Sequence, residues 1–379
     1  MTLRLEGIQF QDFRSYESFS LENLGGLTVL LGPNATGKTN AVEGIQLMTA
    51  FGSFRNPAGK ELIRWNAPCA RLTAHLVSSS RDLTVQTEIK PASRLHRLNG
   101  KKKAVHDLQG LLPSVVFSPD DLVLAKGAQA ERRAALDLLG CQLSRNHRVI
   151  KRDFERLVKH KNALLKEESP ALLVESVNDM LAPAAVQLYL YRAALVSKLF
   201  SHMADAYAAM AGGAERIEAS YVPSWEADEV RAAAQAAPMA FSYTKEEARA
   251  ALDAALRSRA AEERVRKRSV VGPHHDRLEF FIDGRNASTF ASQGQQRSLV
   301  LAWKMAEVAL MREMTGTSPV LLLDDVMSEL DVRRRRALVG LLADDTQTFI
   351  TATDSSCFDG DLLDAASVID LGGQNAWLR

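Results

Sequence analysis

The run Gly32-Pro33-Asn34-Ala35-Thr36-Gly37-Lys38-Thr39 has the spacing G-x-x-x-x-G-K-[ST], which is that of a phosphate-cradling loop. In such a loop the backbone N–H groups face phosphate oxygens, the lysine reaches the β- and γ-phosphates, and the last hydroxyl ligates Mg²⁺. The expected cofactor-binding set is Gly32, Asn34, Ala35, Thr36, Gly37, Lys38, Thr39 and the adjoining Asn40. A glycine-rich turn that binds nothing is the bland alternative, but the neighbouring elements favour a nucleoside triphosphate. A second stretch, Pro319-Val320-Leu321-Leu322-Leu323-Asp324-Asp325, is an apolar run ending in two carboxylates. That is a Walker B pattern, with Asp324 placed for Mg²⁺ beside Thr39 and Asp325 for a water. Lys38, Asp324 and Asp325 are the expected catalytic residues. Ala291-Ser292-Gln293-Gly294-Gln295-Gln296-Arg297 opens a third stretch, where a serine and a glycine at a helix start form a second candidate anion site.

These residues need elements to hold them. Leu27-Thr28-Val29-Leu30-Leu31 reads as a buried strand before the loop, and Asn40 to Ala50, with Val42, Ile45, Leu47 and Met48, as the helix after it. Strand, turn and helix N-terminus together aim a positive dipole end at phosphate. An opening strand is expected from Leu3 to Phe10, a loop over 51–66, and two strands over 70–90 around Ser78-Ser79-Ser80-Arg81. Asn99-Gly100 signals a hairpin, and Val115-Val116-Phe117 a short strand. After Lys126-Gly127 the pattern turns helical. Leu136, Leu143, Ile150, Leu157 and Leu164 recur every seventh residue, with Leu139 and Phe154 near the companion positions, a seam of about four heptads as in a coiled-coil arm. Helices are expected again over 170–215 and 226–262, with a strand over 216–223 between them. Strands are expected at 278–282 and 348–353.

Composition sets outer bounds. The chain has 379 residues, 46% hydrophobic and 25% charged, with net charge +1. That is long for one core and ordinary for a globular protein. Any basic surface must be local. Cys69, Cys141 and Cys357 show no metal-like spacing and fit a reducing cytosol. The first residues lack the apolar core of a signal peptide, and no apolar run is long enough to span a membrane; a cytoplasmic protein is expected. His274, His275 and Asp276 are adjacent rather than at ligand spacing, so no metal site is expected there.

Three basic stretches stand out. Arg94, His96 and Arg97 with Lys101, Lys102 and Lys103 flank the hairpin signal; they form either a solvated tip or a phosphate contact. Arg145, Arg148, Arg152, Arg156 and Lys159 make a helical stripe, either a wet face or a nucleic-acid contact. Arg264, Arg266, Lys267 and Arg268 close the helical region.

Chains that split an ATPase lobe around a helical arm resemble the ABC ATPase superfamily, particularly its SMC-like branch. Within it, the Gly32–Thr39 loop, the Ser292–Arg297 signature and Leu323-Asp324-Asp325 through Ser328-Glu329-Leu330-Asp331 resemble the RecF-like family. So do Phe13-Arg14-Ser15-Tyr16, the Asn99-Gly100-Lys101 hairpin, and Ser118-Pro119-Asp120-Asp121-Leu122 through Lys126-Gly127. The resemblance implies an α/β fold: an ABC-type head built from residues 1–122 and 269–379, with a helical, coiled-coil-like lobe inserted over 123–268. It further implies ATP and Mg²⁺ as cofactors, and a homodimer that sandwiches two ATPs. Arg14, Gln295 and Asp331 would join the nucleotide-binding set, and Ser292 and Gly294 would contact the γ-phosphate of the partner's nucleotide. The implied role is recombinational DNA repair: ATP-dependent closure around DNA at single-strand/double-strand junctions. Weak DNA-stimulated ATPase activity and help to RecO and RecR in loading RecA are implied with it. Arg97, Lys101, Lys102, Lys103, Arg145, Arg148, Arg152 and Arg156 are the DNA candidates.

Several positions depart from the wider superfamily. The signature reads Ala291-Ser292-Gln293-Gly294-Gln295 rather than the Leu-Ser-Gly-Gly-Gln of transporter ATPases, and Asp325 stands where glutamate is common. Ser118–Asp121 offers no Q-loop glutamine, and Thr351, Thr353 and Asp354 stand where a switch histidine is usual. An SMC-like clamp whose dimerisation, rather than turnover, is the function is the alternative. A transporter subunit leaves the heptads and basic clusters unexplained, and a P-loop kinase leaves Ser292–Arg297 unexplained.

Overall fold

In the computed structural model, which describes residues 3–372 apart from 56, 212, 214, 328, 329, 331, 341–345, 356, 357 and 359–362, contacts divide the chain into two units. One runs to Asp121 and resumes at Glu307; the other is Leu122–Ala306. The elements of the first segment are β1 (Arg4–Phe13), β2 (Tyr16–Leu21), β3 (Leu27–Leu31), α1 (Lys38–Thr49), β4 (Ala70–Ser78), β5 (Arg81–Lys90), β6 (Ser93–Leu98), β7 (Lys101–Lys103), α2 (Val105–Leu108) and β8 (Ser114–Phe117). The second unit holds α3 (Val123–Lys126), α4 (Gln129–Leu143), α5 (Arg145–Lys166), α6 (Ala171–Ala211), β9 (Ile217–Val222), α7 (Asp228–Ala236), α8 (Lys245–Ser258), α9 (Ala260–Arg266), β10 (Arg277–Ile282), β11 (Arg285–Asn286) and α10 (Ala287–Phe290). Then come α11 (Gln293–Thr315), β12 (Val320–Leu323), α12 (Val332–Val339), β13 (Thr348–Ala352) and β14 (Ser367–Asp370).

The first unit contains two sheets with different sequence logic. One is antiparallel, in the order β2-β1-β4-β5-β6-β7. Its strands alternate: in β4, Ala70, Leu72, Ala74 and Leu76 are buried while the residues between them are not, so one face is dry and the other wet. The other sheet is parallel, in the order β14-β3-β13-β12-β8. Its inner strands β12 and β13 are buried at every residue, as expected when both faces are covered. Helix α1 packs between the two sheets, against β12, β13 and β8 on one side and β1, β4 and β5 on the other. Gly44 permits this approach, because a Cβ there would lie 2.2 Å from the Phe10 ring.

The second unit is mainly helical, with the three-stranded sheet β11-β10-β9. The helices α5 and α6, of 22 and 41 residues, pack against each other. The uninterrupted heptad seam expected from Leu136 to Leu164 is corrected. α4 ends at Leu143, Ser144 is extended at φ −138° and ψ 122°, and its hydroxyl accepts the His147 N–H to start α5. Of the five residues at seven-residue spacing only Leu136 is buried; the companions Leu139 and Phe154 are buried as expected, and Leu165 joins them. A seven-residue count registers apolar spacing but not a capping serine, which satisfies a new helix's first N–H groups. Residues 269–306, grouped by the sequence reading with the C-terminal head segment, cluster instead with the helical unit. The reason is strand pairing, since β10 joins β9 over Arg277–Ile282. Among the described residues no helix is long and apolar enough to cross a membrane.

Candidate functional site

β3 delivers the chain to Gly32 at the C-terminal edge of the parallel sheet, where the Gly32 N–H donates to the Ala352 carbonyl at 3.2 Å. The loop then closes on itself. The Thr36 hydroxyl donates to the Pro33 carbonyl at 2.9 Å, while Asn34 and Ala35 are exposed and Ala35 takes φ 67°. Gly37 caps α1 at φ +96°, a conformation that favours glycine. A Cβ there would also lie 2.7 Å from the Tyr16 hydroxyl, which donates to the Gly37 carbonyl at 2.9 Å. No side chain caps the helix, so its dipole and leading N–H groups face the loop.

Lys38 is 3% exposed. Its ammonium donates to the carbonyls of Gly32 at 2.8 Å and Pro33 at 3.2 Å, and stands 3.8 Å from the Asp325 carboxylate. The parallel register puts Asp324 next to it in the sheet: Leu323 pairs with Phe117 on one side and Ile350 on the other. Asp324 N–H donates to the Phe117 carbonyl at 2.9 Å. Its Oδ1 accepts from the hydroxyls of Thr39 at 3.1 Å and Thr351 at 2.9 Å. Thr351 accepts in turn from the Asp325 N–H at 2.8 Å. Burial pushes the Asp324 carboxyl above the usual carboxylate range, against the lowering effect of the two hydroxyls. Thr39 and Asp324 thus present hard oxygens at one point, the donor type that suits Mg²⁺.

Helix α1 also carries a charge that sequence reasoning missed. Glu43 is fully buried and accepts from Nε and Nη2 of the Arg14 guanidinium, at 2.8 and 2.9 Å, and from the Ser53 hydroxyl at 2.6 Å. Arg14 itself sits at φ 53° and also donates to the Glu61 carbonyl. Arg55 lies 3.8 Å from Glu43 and donates to Asn40 Oδ1 at 3.2 Å, while Asn40 donates to Ser15. The available signal for Glu43 was the one carboxylate on α1, flanked by Ala41, Val42 and Ile45. For Thr351 it was its place one residue past Ile350, the partner of Leu323.

The structure brings Lys38 to Asp325 and Thr39 to Asp324, while Asn40 turns to Ser15 and Arg55. Ser118, at the end of β8, donates its N–H to Asp121 at 2.7 Å and starts a capped turn. Ser292, Gly294 and Gln295 lie at the start of α11. There the Ser292 hydroxyl accepts the Gln295 N–H at 3.2 Å and the Gln295 side chain accepts the Ser292 N–H at 2.8 Å, a capping box. Gln295 further donates to Glu215 at 2.9 Å. Ser328, Glu329 and Asp331 lie outside the described residues.

The DNA candidates separate. β7 pairs with β6 so that Lys102 faces Arg97, while Lys101 and Lys103 fall on the opposite face with Leu98 and His96. On α5, Arg145, Arg152 and Arg156 are exposed, but Arg148 donates to the Cys141 carbonyl and burial lowers its pKa. His275 contacts the Ser269 carbonyl at 3.0 Å, and Asp276 accepts from Tyr221 and the Ser224 N–H at 2.9 and 2.8 Å. Cys69 and Cys141 are free thiols; Cys357 lies outside the described residues.

Comparison with known proteins adds an independent line. The RecF/RecN/SMC N terminal domain matches residues 4–366. The DNA replication and repair protein RecF of Lactobacillus johnsonii is 33% identical over 363 residues, covering 92% of each chain. A second, from Lactobacillus delbrueckii subsp. bulgaricus, is 35% identical over 348 residues, covering 90% of this chain and 88% of the relative. The structure of the recombination mediator protein RecF-ATP in the RecFOR pathway matches with a TM-score of 0.85 at 27% identity, over 95% of this chain and 94% of that one. An Smc head domain from Pyrococcus furiosus matches at TM-score 0.53 and 14% identity, which shows the shared ABC-type ATPase head fold.

Proposed function

We propose, for a chain that belongs to the RecF family of RecF/RecN/SMC proteins, that ATP held at the Gly32–Thr39 loop controls its grip on DNA. The observation that carries this reading is the shared hydrogen-bonded set of Thr39, Asp324 and Thr351, which ties the phosphate loop to the end of β12. On this reading Lys38 gives up its loop carbonyls for phosphate oxygens, and Thr39 and Asp324 hold Mg²⁺. Held there, Mg²⁺ would supply charge neutralisation at the phosphates. Asp325 orients the attacking water and accepts its proton. Arg14, fixed by Glu43, adds positive charge beside the loop.

Two chains close as an ATP-dependent homodimer, with Ser292 and Gly294 meeting the nucleotide of the other subunit. Hydrolysis is weak and DNA-stimulated. The dimer acts in the cytoplasm on single-strand/double-strand junctions or duplex, with RecO and RecR, in loading RecA. Nucleotide-dependent DNA affinity follows if ATP binds the closed state better than the open one. A clamp reading, in which dimerisation is the output, is favoured by Asp325, whose side chain is one methylene shorter than glutamate and pairs with Lys38 at 3.8 Å.

The test is binding of a labelled duplex with a single-strand junction, with Mg²⁺ and ATP, ADP or no nucleotide. Tight binding with ATP alone is expected; equal binding in all three would uncouple DNA from the loop. Lys38→Met should abolish ATP-dependent dimerisation, and unchanged nucleotide affinity would remove Lys38 from the site. Ser292→Arg should leave ATP binding to the monomer intact and block closure. Hydrolysis indifferent to DNA, with dimerisation intact, would select the clamp.

A further inference from the structure

The second unit carries a groove of about 420 Å³ along α5 that the proposed ATP cycle does not use. Its lining includes Phe154, Val158 and Ala163 with His274, and Lys159 and Lys166 stand on the same side. Burial, and then the nearby His275, push the His274 imidazole down to about 3, so the lining is uncharged there at neutral pH. Glu155, which also borders the groove, is neutralised by the Lys151 ammonium at 2.6 Å. Lys159 and Lys166 have no ion pair among the described residues. They are two helical turns apart, about 10 Å along α5.

The far end of the groove adjoins a second source of positive charge. Asn162 accepts the Ser269 N–H at 2.6 Å, and Lys267 pairs with Glu168 at 2.6 Å. These contacts dock the end of α9 and the residues after it beside the C-terminal end of α5. Arg264 and Arg268, both exposed, come with them. The two lysines thus line the trough itself, and the second basic cluster lies in the segment docked at its far end.

We propose that this groove is a docking site for an acidic peptide segment of a partner protein, anchored by an aliphatic or aromatic side chain between the two lysines. The apolar lining would take the anchor, and the lysines would take flanking carboxylates. Nucleic acid matches less well. Its phosphates would meet the exposed Arg152 and Arg156. A base would find no free ring to stack on, because Phe154 is 2% exposed and tilted against His274 at 5.5 Å.

The test uses the full chain and fluorescence anisotropy with a labelled Asp-Glu-Leu-Phe-Glu-Asp peptide. An Asp-Glu-Ser-Ser-Glu-Asp peptide and a labelled oligothymidylate serve as comparisons. Ala163 is exposed, so Ala163→Trp fills the groove without entering the core. The Leu-Phe peptide should bind, and lose about tenfold in affinity with Ala163→Trp and again with Lys159→Glu plus Lys166→Glu. Higher salt should weaken it. No binding of the Leu-Phe peptide, equal binding of the Ser-Ser peptide, or indifference to Ala163→Trp would each overturn the proposal. Oligothymidylate binding that falls with Ala163→Trp would make the groove a nucleic-acid site and overturn it as well.

Discussion

Asp324 in the first unit and Asp137 in the second are both buried carboxylates, 3% and 5% exposed, yet their surroundings treat them oppositely. Asp324 meets two threonine hydroxyls, and burial raises its pKa. Burial would raise Asp137 too, but Arg192, bidentate at 2.7 and 2.8 Å, and His147 at 3.1 Å outweigh it and hold the carboxyl at about 2. The helical unit repeats that solution: Lys161 pairs with Glu263 at 2.7 Å and Arg132 with Glu279 at 3.4 Å, all nearly inaccessible. Around the loop, Lys38 rests on carbonyls of its own turn. The difference separates charge locked for structure from charge kept exchangeable. On the proposed reading, a site that takes up phosphate and metal keeps charges whose partners can be exchanged, and that costs stability.

Arg192→Leu should break the comparison most severely. Leaving Asp137 buried without its cation should cost about 3–5 kcal/mol, read from the chemical denaturation midpoint; a loss below about 1 kcal/mol would mean the pair is dispensable.

Acid should act through the same residue. The folded pKa of Asp137 is below its unfolded value, so its stabilisation is complete above the unfolded pKa and is lost as pH falls through the folded one. From 3.8 to about 2, a contribution on the order of 2–3 kcal/mol should fade, and Asp137→Asn should flatten that part of the stability profile. An unchanged profile would argue that Arg192 does not hold the carboxylate.

Ser144→Ala should cost about 1 kcal/mol through loss of the α5 cap, measurable as a lower Tm. No change would leave the helix break without its stated cause.

Asp324→Asn should run the other way. A raised folded pKa means that the ionised carboxylate opposes folding at neutral pH and that stability is regained as pH falls through the folded pKa. The variant should gain up to about 1 kcal/mol in the absence of nucleotide while losing Mg²⁺-dependent ATP binding. A destabilised variant would place Asp324 with the locked charges.

How much of this was legible depended on distance along the chain. The loop Gly32–Thr39, its strand and its helix lie within one stretch, and local spacing sufficed to place β3 before the loop and α1 after it. The carboxylates ending β12 could be recognised because a doubly covered parallel strand is apolar at every position. Glu43 and Thr351 could not, because their partners Arg14 and Asp324 are 29 and 27 residues away, and no short pattern encodes such a bond. Ser144 shows the reverse failure, a strictly local cap overlooked in favour of a long apolar period.

The sequence by itself determined the phosphate loop, the paired carboxylates, the helical insertion and the alternation of the antiparallel sheet, because each follows from residue type at short spacing. Tertiary structure alone decided which hydroxyls reach Asp324, which carboxylate fixes Arg14, that residues 269–306 join the helical unit, and that Ser269 docks on Asn162 beside the α5 groove. Those outcomes depend on strand register and on which buried charges find each other. Both are settled by burial and electrostatics across the whole chain.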